Sequence, residues 1–222
     1  MTSNIFVHKP KPLLRGWLHA GAAVGAVALT IALLWRTGDD PPRLISMLVF
    51  GLTTFLMYAV SAVYHIGNWR PRTHRILRAL DHANIYTLIA GTYTPIIFNV
   101  LAGWERPGIL TAVWVVAAAG VLLTVVWPGV GRWTGTGLYI GMGWIIVAAL
   151  PALLRALPSA PLWLLLLGGM LYTAGALVYV LKKPDPFPRY FGFHEIFHVF
   201  VIAGSIVMAI VLWVWVVPYP RG

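Results

Sequence analysis

The sequence contains no cysteine and few charged residues, and each shortage excludes several classes of protein. Without cysteine the chain has no disulfide, thiolate metal site, iron–sulfur cluster or cysteine nucleophile. Charged residues make up 10% of its 222 residues, whereas ordinary soluble domains contain about 25%. Because 59% of the residues are hydrophobic, the composition fits neither a disordered chain nor a soluble domain with a single core. The sequence therefore predicts an integral membrane protein.

Acidic residues are especially scarce, and the charge balance indicates the nature of the partner. Six acidic residues stand against 16 lysines and arginines, which gives a formal net charge of +10. The basic residues lie between apolar runs rather than in one block. Membrane lipids with anionic head groups are therefore the expected partner, and nucleic acid is not.

Seven apolar stretches are long enough to cross a bilayer as helices, which takes about 20 mostly apolar residues. The connections between them are short and rich in proline, glycine and aspartate, so a single domain is expected over residues 1–222. We predict an all-α integral membrane protein, a seven-helix transmembrane bundle. Its spans run approximately over residues 16–35, 44–66, 79–101, 108–127, 135–154, 161–181 and 194–217.

Lysine and arginine are divided unevenly between the two sides of this bundle. The N-terminal tail and the second, fourth and sixth connections hold 11 of them, and the opposite side holds five. Because positively charged segments stay in the cytoplasm, the N-terminus is predicted to be cytoplasmic and the C-terminus external, the reverse of a G-protein-coupled receptor. The larger set is Lys9, Lys11, Arg15, Arg70, Arg72, Arg75, Arg78, Arg132, Lys182, Lys183 and Arg189, and the smaller is Arg36, Arg43, Arg106, Arg155 and Arg221.

Ionisable side chains at the ends of three predicted spans converge at one depth. His65 ends the second span four residues after Ser61, so the imidazole and the hydroxyl share a helix face. Asp81 is expected to open the third span, and His194 and His198, four residues apart, to open the seventh. With the predicted topology all these ends lie at the cytoplasmic interface. Ionisable groups in such places are costly and mark a functional site.

Three imidazoles at one depth suit zinc, which binds neutral histidine nitrogen at about 2.0–2.1 Å and in catalytic sites keeps one position open. We predict His65, His194 and His198 as the metal ligands. Asp81 would orient a zinc-bound water and accept its proton, and Ser61 would support the ligands or bind that water. Zinc lowers the pKa of its water toward about 7, which produces a nucleophile at neutral pH.

Simpler interpretations stay open for individual residues. Ser61 alone is typical of a helix-packing serine, and Asp81 alone of a cap on the third helix. His82 points about 100° away from Asp81 on a helix and is interpreted as a neighbour, not a ligand. The remaining histidines are expected in the tail or in loops: His8, His19 and His74.

The segment from His194 to His198 also matches H-E-x-x-H, the signature of zinc metalloproteases in which the glutamate is the general base. Those enzymes normally have a further ligand downstream, whereas no histidine, aspartate or glutamate follows His198 in this sequence. A membrane metalloprotease with Glu195 as its base is therefore a lesser alternative.

Three motifs together carry a resemblance to a known family. In this order and spacing they resemble the bacterial hemolysin III family, which is similar to the progestin and adipoQ receptors, including the adiponectin receptors, and is grouped with the alkaline ceramidases. The resemblance extends over nearly the whole chain. The motifs are Ser61-x-x-x-His65, Leu80-Asp81-His82-Ala83-Asn84-Ile85-Tyr86 through Ala90-Gly91-Thr92-Tyr93-Thr94-Pro95, and His194-x-x-x-His198.

The resemblance implies a fold, a site and an activity. It implies seven helices in the bacterial cell membrane, a cytoplasmic N-terminus, and a zinc ion near the cytoplasmic face. The family's serine, aspartate and three histidines match Ser61, Asp81, His65, His194 and His198. Related members are thought to hydrolyse amide bonds in lipids such as ceramide, while the family name implies cytolysis.

Three functions of different classes follow. The first is a zinc-dependent hydrolase of ceramide-like lipid amides at the cytoplasmic face. The second is a non-enzymatic receptor-like or membrane-homeostasis factor, or a pore-forming hemolysin. An ion-conducting path is poorly supported because the spans hold almost no charge outside the histidine cluster. The metalloprotease is the third.

Overall fold

The computed structural model describes residues 12, 14–127 and 129–220, and within them the chain is all-helical, with no β-strand. The all-α class predicted from the sequence is confirmed. Lys9, Lys11, His8 and Arg221 lie outside the described residues. The helices are α1 (Trp17–Arg36), α2 (Pro41–Ile66), α3 (Pro71–Val100), α4 (Glu105–Val126), α5 (Arg132–Gly143), α6 (Ile146–Ala156), α7 (Ser159–Leu181) and α8 (Phe193–Val211), followed by a π-helical turn (Leu212–Val216).

Six helical segments of the described chain are long and apolar enough to cross a membrane. They correspond to the first, second, fourth, fifth, sixth and seventh predicted spans. The helix at the third predicted span, α3, is not among the six, because its first turns are rich in arginine and its interior carries many polar residues. The six are Trp17–Arg36, Pro41–Ile66, Glu105–Val126, Arg132–Ala156, Ser159–Leu181 and Phe193–Val216.

Helix α3 begins at Pro71, well before the predicted start at residue 79. Proline is favoured at the first helical position, because its missing N–H would be unpaired there in any case. The apolar stretch begins near residue 79, but the arginines and leucine that precede it are good helix formers and extend the helix toward the N-terminus. The expectation that Asp81 opens this helix was therefore wrong, as was the interpretation of Asp81 as its cap.

The fifth predicted span consists of two helices, α5 and α6, separated by Trp144 and Ile145. Glycines lower the helix propensity before the break. Tyr93 of α3 pairs the backbone groups there: its hydroxyl donates to the Gly143 carbonyl at 2.8 Å and accepts from the Ile146 amide at 2.6 Å. The break is thus a fixed feature of the fold, since a tyrosine from another helix satisfies its polar groups.

The buried residues lie mainly on α2, α3 and α8, whereas the remaining long helices surround them. α2 packs against α1 and α3, and α8 packs against α7 and α1. A Cβ on Gly91 of α3 would collide with Thr53 of α2, so this glycine lets the two helices approach closely. Large apolar side chains cover the outside of the bundle, as a lipid-facing surface requires.

Candidate functional site

Three histidines meet where α2 ends and α8 begins. His65 is the penultimate residue of α2, and His194 and His198 lie in the first two turns of α8. One ring nitrogen of each lies within 4.8 Å of the others, and the Nε2 atoms of His65 and His194 are 3.1 Å apart. The structure thus brings the three predicted ligands together at one end of the bundle.

The donor set fits a tetrahedral zinc ion. Ligand distances of about 2.0–2.1 Å place two nitrogens roughly 3.3 Å apart around such an ion, and the 3.1 Å between His65 and His194 is close to this spacing. His198 is 1% exposed, and its Nδ1 atom has no hydrogen-bond partner within the described chain. Three imidazoles leave a fourth coordination position for a nucleophile or a substrate oxygen.

Asp81 lies beside this cluster and is buried. Its Oδ2 atom is 3.9 Å from His65 Nε2 and 3.7 Å from His82 Nδ1. Its Oδ1 atom accepts no hydrogen bond from any residue that the structure describes. One carboxylate oxygen is therefore available to accept a proton or a hydrogen bond from a bound molecule.

Ser61 lies one turn before His65 and is almost completely buried. Its hydroxyl is a neighbour of the Asp81 carboxylate, but it forms no hydrogen bond of normal geometry among residues 12, 14–127 and 129–220. His82 is not part of the three-histidine cluster, and its Nδ1 donates to the Arg78 carbonyl at 2.9 Å. The five predicted site residues therefore lie together, with His82 at their edge.

The glutamate of the H-E-x-x-H segment is occupied by other contacts. Glu195 is fully buried, and its Oε1 accepts from Arg15 Nε at 2.8 Å. Its Oε2 accepts from the Gly192 backbone amide at 2.8 Å, which caps the start of α8. Because both oxygens are engaged, the geometry does not favour Glu195 as the base of a protease.

Sequence reasoning missed His19. The expectation that it lies in the tail or in a loop was wrong: it belongs to α1, is fully buried and stacks on His198, with ring centroids 3.7 Å apart and planes at 12°. His74 lies in α3, not in a loop. The signal for His19 was present, because an imidazole inside an apolar span needs a polar or aromatic partner.

An apolar cavity of about 150 Å³ extends from the cluster into the bundle. Ser61, Asp81, His194 and His198 lie at its polar end, and apolar residues of six helices line the rest, among them Ile89, Ile96, Ile140, Leu165 and Met208. Such a cavity matches a ligand with a polar group and an apolar chain.

A second cavity of about 320 Å³, here called the basic vestibule, adjoins the same cluster. His65, Asp81 and His194 line it, as do the basic side chains of Arg15, Arg78 and Arg132. The cluster therefore lies between an apolar chamber and a positively charged one.

Comparisons with known proteins agree with the resemblance that the three motifs carry. A family model described as "Haemolysin-III related" matches residues 7–209. "Hemolysin-3" of Bacillus cereus is 34% identical over 199 residues, 89% of this chain and 88% of that protein. "Hemolysin-3 homolog" of Bacillus subtilis (strain 168) is 36% identical over 165 residues, 74% of each chain. The human "Monocyte to macrophage differentiation factor" is 25% identical over 204 residues, 89% of this chain and 81% of that protein.

Proposed function

Because this multi-pass membrane protein belongs to the haemolysin III-related family, we propose that it is a zinc-dependent hydrolase of lipid amide bonds. The observation that carries the proposal is the position of the histidine–aspartate–serine cluster at the polar end of an apolar cavity. A metal site alone would also fit a structural role. An apolar cavity beside a carboxylate oxygen that accepts no hydrogen bond among the described residues favours a reaction at the head of a lipid.

His65, His194 and His198 would hold the metal. When bound, zinc supplies a Lewis acid and a water of lowered pKa. Asp81, with its free Oδ1 atom, accepts the proton of the attacking water and orients that water toward the acyl carbonyl. The Ser61 hydroxyl, free to donate, holds Asp81 or the substrate oxygen in place. The proton on Asp81 then passes to the leaving amine.

Each of the two cavities would hold a different part of the substrate. The acyl chain would lie along the apolar cavity, and the polar part of the lipid would face the basic vestibule, where Arg78 and Arg132 attract anionic head groups. The amide carbonyl would then lie at the cluster, between the two chambers. Membrane lipid is therefore the proposed substrate and partner.

We also propose that α3 crosses the membrane as the seventh span, with the N-terminus cytoplasmic and the C-terminus external. α3 has 30 residues and so is about 45 Å long at roughly 1.5 Å per residue, enough to cross a bilayer. Its residues from Asp81 to Val100 are largely buried by other helices. A span enclosed by protein does not need the apolar surface that lipid contact requires.

The first experiment measures metal and reaction together. Detergent-purified wild type should contain about one zinc per chain by elemental analysis and release fatty acid from a panel of ceramides and other acyl amides. A triple variant, His65→Ala with His194→Ala and His198→Ala, should lose both. Zinc-loaded wild type that releases no fatty acid from any lipid of the panel would overturn the hydrolase.

The same preparation distinguishes the other functions. Zinc binding without hydrolysis would favour a receptor-like or membrane-homeostasis role. Dye release from liposomes at low protein density, abolished by His65→Ala, would favour a pore-forming hemolysin. Peptide cleavage abolished by Glu195→Gln would restore the metalloprotease.

A further inference from the structure

The N-terminal end of α1 touches both of the helices that carry the cluster histidines. His19 lies flat on the ring of His198, as described above. Metal ions lie in the plane of an imidazole ligand, because the nitrogen lone pair lies there. Because the two rings stack face to face, the nitrogen lone pairs of His19 lie in a plane parallel to that of His198 and do not converge with its lone pairs. His19 is therefore a support for His198 and not a fourth ligand.

Four residues earlier, Arg15 contacts the start of α8. Its Nε donates to the fully buried Glu195, the residue that follows His194. The other Glu195 oxygen caps the first turn through Gly192. Because this carboxylate is out of contact with water, Arg15 and the amide are its two polar anchors. Together these two bonds fix the turn from which His194 projects.

Between these two residues, Gly16 lets α1 approach the end of α2. Its φ is +87°, a conformation that favours glycine. A Cβ at this position would lie 2.8 Å from Ile66 Cγ1 and 3.0 Å from His65 Cβ. The backbone of α1 therefore packs directly against the turn that carries His65.

We infer that residues 15–19, here called the α1 clamp, position the metal-binding histidines by holding the end of α2 against the start of α8. The inference rests on the metal site of the proposed function. The three contacts reach α2 or α8 within one residue of His65, at His198 itself, and within one residue of His194. The members of the clamp are positioning residues, since they act through the ligands.

The test measures metal affinity and coordination in the purified, full-length protein. His19→Ala should weaken zinc binding about 10- to 100-fold, the usual effect of removing a group that orients a ligand. It should also alter the visible spectrum of the Co²⁺-substituted protein. His19→Phe keeps a flat ring against His198 and should restore both readouts to near wild type. Trp163→Ala, which removes an exposed ring near the start of α7, is the control and should leave both readouts unchanged.

Variants of Arg15 provide a second, independent test of the clamp. Arg15→Ala should weaken zinc binding and shift the Co²⁺ spectrum, and Arg15→Lys should recover part of each, because lysine can still donate to Glu195. Arg155→Ala breaks an exposed 3.1 Å pair with Glu105 and should leave both readouts unchanged. This control separates a local effect on the site from a general loss of ion pairs.

The measurements separate failure of the clamp from failure of the metal site itself. Wild type that binds neither zinc nor Co²⁺ would overturn the site and the clamp with it. Wild type that binds zinc, with unchanged affinity and spectrum in His19→Ala and Arg15→Ala, would overturn the clamp alone. If His19→Phe binds zinc as weakly as His19→Ala, the ring nitrogens of His19 are required and positioning by stacking is wrong.

Discussion

At the scale of single residues, the proposed chemistry depends on one oxygen atom. Asp81 Oδ1 is buried and accepts no hydrogen bond in the part of the chain that the structure describes. Asparagine has the same shape as aspartate but cannot take up a proton from water. Asp81→Asn should therefore keep the zinc content and reduce fatty-acid release by at least about 100-fold.

Zinc content by elemental analysis and product release by mass spectrometry check this prediction. Glu195→Gln is the matched carboxylate-to-amide control, and residual hydrolysis is expected there. An inactive Glu195→Gln beside an active Asp81→Asn would reverse the assignment of the base.

Gly16 offers a second residue-scale prediction. Gly16→Ala forces an alanine into a left-handed conformation and against the His65 turn, at a cost of order 1–3 kcal/mol. We expect a lower thermal unfolding midpoint and weaker zinc binding. Gly21→Ala is the control, because a Cβ there meets nothing within 4 Å and alanine favours a helix. Equal midpoints for the two variants would contradict the close approach of α1 and α2.

Residue types and spacing were sufficient to predict that these five side chains lie near one another, because i, i+4 spacing and depth follow from helix geometry. Their roles in a metal site stay a prediction. The roles of His19 and Glu195 were not predictable in this way. His19 meets His198 only through the packing of the first helix on the last, and Glu195 meets Arg15 across 180 residues of sequence. Contacts between residues so far apart in the sequence leave no pattern among the neighbours of either residue.

At the scale of elements, the α5–α6 break depends on Tyr93. Tyr93→Phe removes the hydroxyl that pairs the Gly143 carbonyl and the Ile146 amide. Leaving these partly buried backbone groups without the hydroxyl should destabilise the protein by about 1 kcal/mol. Thermal unfolding in detergent measures this, with the exposed Tyr190→Phe as control. An unchanged midpoint for Tyr93→Phe would mean that the break does not need the hydroxyl.

Hydropathy located six of the predicted spans as long apolar helices, but it did not locate the element boundaries. α3 begins at Pro71 because the arginines and leucine before the apolar stretch favour a helix. The fifth span divides in two because a tyrosine from another helix satisfies the backbone at the break. A hydrophobic pattern records neither helix propensity, which sets the start of α3, nor the polar pairing at the α5–α6 break.

At the scale of the whole molecule, the absence of cysteine provides a direct test of topology. Asp39→Cys and Lys183→Cys place single thiols after α1 and after α7. With α3 as a span, the number of crossings between them is odd, so a membrane-impermeant maleimide should label Asp39→Cys from outside intact cells and Lys183→Cys only after lysis. Labelling of both from the same side would mean that α3 does not cross.

The histidine cluster joins the second helix of the fold to the last one, and His65 and His194 are 129 positions apart in the sequence. During synthesis, then, the three imidazoles can meet only after α8 has left the ribosome and entered the bilayer. Until that moment the apolar cavity lacks the side of its wall that α8 supplies. If the proposed metal binds, it can therefore do so only at the end of biogenesis, because a chain interrupted before α8 lacks two of the three histidines.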